Sequence, residues 1–518
     1  MRPLMPSRAS VAAASCITVL LSRWSLRSHE LFTWDAANFA FAMDRIDIAS
    51  HQPHPPGYVG FVLAARALRA FTPDANAALV LCSVLASGLA LLVAVRFAAD
   101  LEPDSARRDR FVRATAALLV FSPLFWLYGA VGEIYASELL VTLAVAYLAW
   151  RSRHGDGRSL PWSVAMLGLA ALVKLPAAVL MAPLVALAWR AADPPDRRRA
   201  AALLAGMAAA GAGALLWLAP DLPARIWSQF ATATAASRPT LDWGEALERF
   251  NHNARDTLLA LAASLGPINL TGLIAWLALD RRLPAHLGAG TALAWALPWL
   301  VLCLAVHIAK PGYLLPLLPV LVLVLAGYYA RQPPRRWALI VGLQAVVSVL
   351  QFVVFAPFPT SITGGDAPYR SKTLLQRLAS DAQPLSYATR ATIRQSDADV
   401  RRVRQTMSEI CQNGEGVIVA GSGPVDARRV MWYFPRAAVV HTDNGSPVFT
   451  RLQGRLVAAE ETPRTLDTPC PVLWLASDRT RRPASLPAEA RREPGVGFVI
   501  DAKRMRIARA GLTFEATD

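Results

Sequence analysis

Three groups of polar residues interrupt an otherwise apolar chain, and each has the composition of a reacting site. The first is the run Trp34-Asp35-Ala36-Ala37-Asn38-Phe39, followed by His51-Gln52-Pro53-His54-Pro55-Pro56-Gly57-Tyr58. A carboxylate such as Asp35 in a water-poor setting suits a general base that takes a proton from an attacking hydroxyl. The Pro55-Pro56-Gly57 turn is suited to hold His54 close by. The competing reading makes Asp35 the cap of a surface helix and His54 a turn residue. The second group, Gly132-Glu133-Ile134-Tyr135, supplies a second carboxylate. Glu133 can orient an acceptor or stabilise positive charge developing on a sugar ring, or simply start a helix favourably. The third group is cationic. The chain has four lysines among 53 basic residues, and two of them, Lys174 and Lys310, lie in apolar surroundings. A compact ammonium pairs well with a phosphate; the alternative is snorkelling to lipid headgroups. His307 and Tyr313 flank Lys310 as further donors, and His252 and Arg255 are weaker members of the same class. Two acids and two or more cations suit the transfer of a group from a phosphate-bearing lipid. The cations hold the leaving phosphate and an acid activates the acceptor.

The elements that position these residues must be membrane helices. The 518 residues are 54% hydrophobic and 17% charged, with a mean hydropathy of +0.34. The apolar residues come in blocks of bilayer-spanning length rather than in the interrupted runs of a soluble core. Eleven spans can be threaded, at residues 10–24, 75–98, 111–130, 137–150, 162–175, 176–190, 200–218, 257–279, 286–306, 313–330 and 337–355. Arg2 and Arg8 ahead of the first block also suit a cleaved signal peptide, but no small-x-small site follows, so an uncleaved helix is expected.

If the first helix leaves the cytoplasm, five arginine clusters fall on the inner side: 107–113, 151–158, 197–199, 281–282 and 331–336. That is the positive-inside pattern. It accounts for the +16 formal charge without nucleic acid, since no basic stripe with interleaved aromatics accompanies it. The segment 57–71 carries Arg66 and Arg69, is short, and reads as an amphipathic surface helix. All the reactive groups then lie outside, in the first outer loop (25–74), in the long outer loop (219–256) and at helix ends.

The expected fold is therefore mainly α: a polytopic membrane domain over 1–356 and a small extracytoplasmic α/β domain over 357–518. Apolar runs at 416–420, 437–441, 471–476 and 496–500 read as strands, with a helix at 426–433. The Gly421-Ser422-Gly423-Pro424 turn lacks a Walker lysine and a G-x-G-x-x-G, and reads as an ordinary strand-to-helix turn. Cys16, Cys82 and Cys303 sit in apolar segments as packing residues. Cys411 and Cys470 lie in the polar tail, where an oxidising compartment would allow a disulfide.

With these motifs in place, the chain resembles the GT-C superfamily of membrane glycosyltransferases, in particular the protein O-mannosyltransferase and lipid A aminoarabinose transferase branch. Asp35 matches that family's acidic residue after the first helix. His54-Pro55-Pro56-Gly57-Tyr58 matches its turn into a juxtamembrane helix. Ser122-Pro123-Leu124-Phe125-Trp126 and Glu133-Ile134-Tyr135 look like the bacterial version. Leu172-Val173-Lys174 resembles its TKG-type hairpin, with Val173 and Leu175 in place of Thr and Gly. Lys310-Pro311-Gly312-Tyr313-Leu314-Leu315-Pro316 is similar to its late K-x-x-Y-x-x-P segment. The resemblance covers about residues 25–330.

It implies a polyprenyl-phosphate-linked sugar as donor and a lipid, glycan or protein hydroxyl as acceptor. It gives Asp35 the role of base or acceptor-orienting group. The polar inventory itself asks for no metal or other cofactor, since no ligand set has suitable spacing. A polytopic transporter or flippase of a lipid-linked sugar is the rival, and a recruiting scaffold a third reading. The multi-pass placement expected is the cell (inner) membrane, with the reactive residues and the tail outside.

Overall fold

The computed structural model describes residues 8–54, 57–218, 243–306, 310–355, 372–377, 387–421, 423–443, 446–452, 455–458, 465–476, 486–502, 504–508 and 511–515. Two compact units divide the chain. The first comprises residues 1–27, 54–358 and 381–392; the second comprises 28–53, 359–380 and 393–518. The expected boundary at 356/357 puts all of the first loop with the membrane helices. The contacts instead group residues 28–53 with the tail.

The first unit is helical. Its helices are α1 (Arg8–Ser25), α3 (Val59–Arg69), α4 (Ala75–Leu101), α5 (Ser105–Val120), α6 (Pro123–Ala130) and α7 (Tyr135–Arg153). They continue as α8 (Ser159–Val173), α9 (Leu175–Ala191), α10 (Pro194–Leu218), α11 (Trp243–Ala275), α12 (Ala289–Val301), α13 (Leu318–Ala330) and α14 (Pro334–Val353). A helix stands at each of the eleven apolar blocks. Four of them are long and apolar enough to cross a membrane: Ala75–Leu101, Leu247–Asp280, Pro311–Ala330 and Pro334–Val353. The pair Ser105–Val120 and Pro123–Ala130 makes a fifth if taken as one bent span. The expected amphipathic helix is α3, Val59–Arg69.

Two of these spans are broken, and the breaks are held by specific side chains. Between α5 and α6 the axis turns by 56°. Pro123 has no N–H to continue the ladder, and Ser122 caps the new helix at Phe125 N. The carbonyl of Val120 is taken by the buried Arg23 guanidinium of α1 at 2.6 Å, which also lies 4.7 Å from the Trp126 ring centroid. The second break lies inside α11 at Gly266, which adopts φ 72°, ψ 168° ahead of Pro267. Here φ is positive and a β-carbon would meet the Gln344 amide at 3.0 Å, so glycine suits the position.

The carbonyls freed at this break are captured from other helices. Ser122 Oγ donates to Ser264 O (2.9 Å), Gln344 Nε2 to Leu265 O (2.8 Å) and Gln351 Nε2 to Ala263 O (3.4 Å). Gln344 Oε1 in turn accepts from Asn269 N (3.2 Å). Irregular backbone in an apolar setting survives only where protein groups satisfy it. Gln344→Leu removes both bonds of the bridging amide to the broken backbone, and its bond to Ser348 Oγ (2.6 Å), at once. It is expected to lower stability by about 1–3 kcal/mol, chiefly from the stranded Asn269 N–H, because Leu265 O still accepts from Asn269 Nδ2 (3.0 Å). Thermal unfolding in detergent measures this, and a midpoint equal to the parent's would rule the bridge out as a stabilising element.

The second unit is α/β. A seven-stranded sheet runs in the order β4-β3-β2-β1-β6-β8-β7. Its core strands are β1 (Val417–Ala420), β2 (Ala438–Asp443), β6 (Val472–Leu475) and β8 (Gly497–Ile500), at the four positions expected. β1 is parallel to both β2 and β6, and β6 to β8 is antiparallel. The sequence does not signal the hairpin β3 (Ser446–Leu452) and β4 (Arg455–Ala458), the edge strand β7 (Arg491–Glu493), or the small sheet of β10 (Gly511–Glu515), β9 (Arg504–Ala508) and β5 (Thr465–Asp467).

Helix α15 (Arg390–Ile410) lays Val400, Val403 and Met407 on one face of the large sheet, joined there by Val430 and Met431 of α16 (Ala427–Tyr433). Cys411, just after α15, and Cys470, just before β6, are paired in a disulfide. Cys82 and Cys303 are buried free thiols in the first unit.

Candidate active site

Within the first unit the structure brings five of the expected residues together: Glu133, Tyr135, Lys174, Lys310 and Tyr313. Each is placed by a helix end. Glu133 lies in the short link after α6, where its own carbonyl accepts from Ser83 Oγ at 2.9 Å. No side chain caps the start of α7, so Glu133 is not spent there. Its carboxylate, fully buried, meets Lys310 Nζ at 3.4 Å.

Lys174 is the single extended residue between α8 and α9, at φ −160°, ψ 106°. Its N–H still closes α8 on Ala170 O (2.7 Å) while its carbonyl opens α9 at Ala177 N (2.9 Å). Pro176, two residues further on, disfavours a continuous helix. This hairpin turns the ammonium inward, where it meets Glu138 Oε2 at 2.9 Å, and both side chains are buried.

Tyrosines close the cluster. Lys174 Nζ sits 3.9 Å from the Tyr313 ring centroid and 4.9 Å from that of Tyr135. Ring faces attract a desolvated cation electrostatically. The turn Pro311–Leu317 carries Tyr313, and Gly312 N in that turn donates to Tyr128 Oη at 3.1 Å. A β-carbon at Gly312 would stand 2.5 Å from the Tyr135 ring, so only glycine lets the turn approach this closely.

The cluster thus holds two acids, two ammoniums and three phenols. The ammonium of Lys310 is the more accessible of the two, with 26% of its side chain exposed against 4% for Lys174. Glu138 and Tyr128 were missed by the sequence reading. The signal for Glu138 was present, since it lies three residues after Tyr135 and therefore on the same helix face.

His54 and Tyr58 also meet, with Nε2 and Oη 3.1 Å apart. Tyr58 adopts a left-handed φ of 41° just before α3, a conformation that costs a non-glycine residue about 1–2 kcal/mol. Strain of this kind is held where a side chain must be aimed. α3 packs on α8, and Gly60 faces the Leu172 backbone, two residues before Lys174. His252 and Arg255 are on α11, both exposed, with His252 Nε2 3.4 Å from Asp256. His307 lies outside the described residues, as do Pro55 and Pro56.

Asp35 belongs to the second unit, at the second position of α2 (Trp34–Asp44). That helix is capped by Thr33, whose hydroxyl accepts from Ala36 N, so the cap does not require Asp35. Trp34 lies edge-on to His441 at the end of β2 (5.5 Å), and Phe41 edge-on to Trp432 (5.1 Å). The buried Arg428 guanidinium lies over Trp34 and Phe41 at 5.8 and 6.0 Å and donates to Ser50 O. Burial, with the neighbouring Arg451 charge, pushes the pKa of Arg428 down to about 10. Among the described residues no cluster of three or more His, Cys, Asp or Glu is placed to hold a metal ion.

Residues 35–195 match the family model described as the protein O-mannosyl-transferase TMEM260 N-terminal domain. No curated protein matches the chain significantly. Among solved structures, ArnT from Cupriavidus metallidurans in the apo state is 15% identical, with 83% of this chain and 84% of that one covered and a TM-score of 0.49. The same organism's ArnT bound to undecaprenyl phosphate is 15% identical, with 84% and 85% covered and a TM-score of 0.48. The Archaeoglobus fulgidus oligosaccharyltransferase tethered with an acceptor peptide is 11% identical, with 83% and 63% covered and a TM-score of 0.41. The segment similar to the protein O-mannosyl-transferase TMEM260 N-terminal domain begins at Asp35 and contains His54, Tyr58, Glu133, Tyr135, Glu138 and Lys174.

Proposed function

We propose that this protein is a membrane glycosyltransferase that moves a sugar from a polyprenyl-phosphate carrier to a hydroxyl on a lipid, glycan or protein at the extracytoplasmic face. The observation that carries the reading is the family match over residues 35–195, because that stretch holds most of the residues on which the chemistry was placed. In this reading the acceptor oxygen attacks the anomeric carbon and its proton passes to the Asp35 carboxylate. The bond from that carbon to the phosphate oxygen breaks, and polyprenyl phosphate leaves with the electron pair. Inversion follows from single displacement.

Lys310, the accessible ammonium, neutralises charge growing on the leaving phosphate. Glu133 sets the position of Lys310, while Lys174, paired with Glu138, holds the rings of Tyr135 and Tyr313. His54, Tyr58, His252, Arg255 and His307 are assigned to substrate contacts. The shorter apolar helices complete an eleven-span domain in the cell membrane, with the α/β domain outside.

A transporter of the same lipid-linked sugar is favoured by one observation, the two broken helices, since discontinuous helices often bind cargo. Here, however, the carbonyls of Ala263, Ser264 and Leu265 at the α11 break are engaged by Gln351, Ser122 and Gln344, which leaves them committed to the fold.

The decisive experiment supplies purified protein with a panel of polyprenyl-phosphate sugars and a membrane extract as acceptor. Release of free polyprenyl phosphate from one donor is expected, with the labelled sugar recovered on the acceptor. Movement of the intact donor between leaflets with no release would replace this reading by transport.

A further inference from the structure

The α/β unit has its parallel strands β2-β1-β6 at the centre of the sheet, and the ends of such strands are where α/β domains usually bind ligands. In this chain a segment of the protein's own first loop is fastened to α15 and α16, the two helices packed on that sheet. Asp397 of α15, 4% exposed, accepts three hydrogen bonds from that segment. Ser28 Oγ (2.9 Å) and Glu30 N (3.1 Å) reach one carboxylate oxygen, and His29 N (3.0 Å) reaches the other. Tyr433 Oη accepts from Leu31 N at 2.7 Å, and Ser396 Oγ donates to Phe32 O at 3.2 Å. Arg428 holds the far end at Ser50 O. Trp34 against His441 and Phe41 against Trp432 seat the helix between. The five residues that lead into Thr33, the cap of the Asp35 helix, are thus all tied to α15 and α16.

We infer that Asp397 is a positioning residue: with Tyr433 and Arg428 it makes the C-terminal domain a clamp that sets where the Asp35 helix begins. A buried carboxylate is costly unless its lone pairs are filled. Here they are filled by two backbone amides and a hydroxyl of the loop, so the loop and the domain are each incomplete without the other. The inference rests on the proposed role of Asp35 only for its effect on activity; the clamp itself is read from amide exchange.

The test uses the full-length protein in nanodiscs. Asp397→Ala is expected to speed amide exchange at residues 28–45 by about tenfold or more, since bonds to a charged group are the strong ones. The kcat for polyprenyl phosphate release is expected to fall by a similar factor, with KM for the donor within twofold. Tyr433→Phe, which keeps the core ring and deletes one acceptor, and Ser28→Ala, which deletes one donor, are expected to give smaller increases confined to residues 28–33. These two variants decide the matter if Asp397→Ala loosens the whole domain. Unchanged exchange at 28–33 in both overturns the clamp. An Asp35→Asn protein with parental exchange and parental release would instead remove the role of Asp35 and leave the clamp standing.

Discussion

Asp35→Asn is expected to lower kcat for polyprenyl phosphate release by about 10²–10⁴-fold, the range for losing a general base, while donor binding stays intact. The substitution is nearly isosteric, so side-chain volume is kept while the negative charge and the proton affinity are lost. Magnitude separates this from the structural alternative. An acidic residue in the first turn of a helix contributes about 0.3–1 kcal/mol through the helix dipole, less than a tenfold effect on any equilibrium. The cap itself belongs to Thr33, and Thr33→Ala tests it, at about 1 kcal/mol of stability with little change in kcat per folded molecule. Release within a factor of five of the parent in Asp35→Asn would sink the base assignment. A loss of more than a hundredfold with unchanged donor affinity is beyond what a dipole can supply.

The second large effect concerns the buried pair of Glu138 and Lys174, 2.9 Å apart with both side chains out of solvent. Removing one partner leaves a bare charge in a low-dielectric interior, which typically costs about 3–5 kcal/mol. Glu138→Leu is therefore expected to unfold much of the protein or sharply reduce its yield. The double variant Glu138→Leu with Lys174→Met removes both charges, and its stability is expected to return to the parental level or above, because a buried pair rarely beats a well-packed apolar substitute. Its transfer activity is expected to stay at least tenfold down, since the ammonium that the rings of Tyr135 and Tyr313 surround has gone. Thermal unfolding and release assays on the single and double variants complete the cycle. Restored activity in a stable double variant would reduce the pair to packing.

The parts of this molecule that could be read from its residues are those where chemistry contradicts its surroundings. Glu133, Lys174 and Lys310 stood out because a charge in an apolar run has a cost that needs a reason, and the structure gathers them with Tyr135 and Tyr313. The core strands of the tail were legible because short apolar runs ended at turn residues. What stayed hidden depends on distant partners. Glu138 lies inside an apolar helix, and its meaning appears only with Lys174 beside it. Gly266-Pro267 is a clear break signal in isolation, yet its span kept its hydropathy because the repair comes from Gln344, Gln351 and Ser122 on other helices. The hairpin β3–β4 is held by pairing rather than by a continuous apolar run, so its local pattern was weak. His252, a weaker candidate from the sequence, lies exposed beside Asp256, a neighbour its own helix supplies.

The clamp also has a consequence in time. Ser28 and Asp397, which bond in the finished protein, are 369 residues apart in the chain. At about 5–20 residues per second of synthesis, the first loop emerges roughly 20–70 s before its partner exists. Through that interval the segment carrying Asp35 lacks its seat, and it acquires one only when the last domain folds. A chain released early would carry the helices of the first unit and still lack the partners of residues 28–32. On the proposed transfer reading, the order of synthesis makes completion of the C-terminus a condition for seating Asp35.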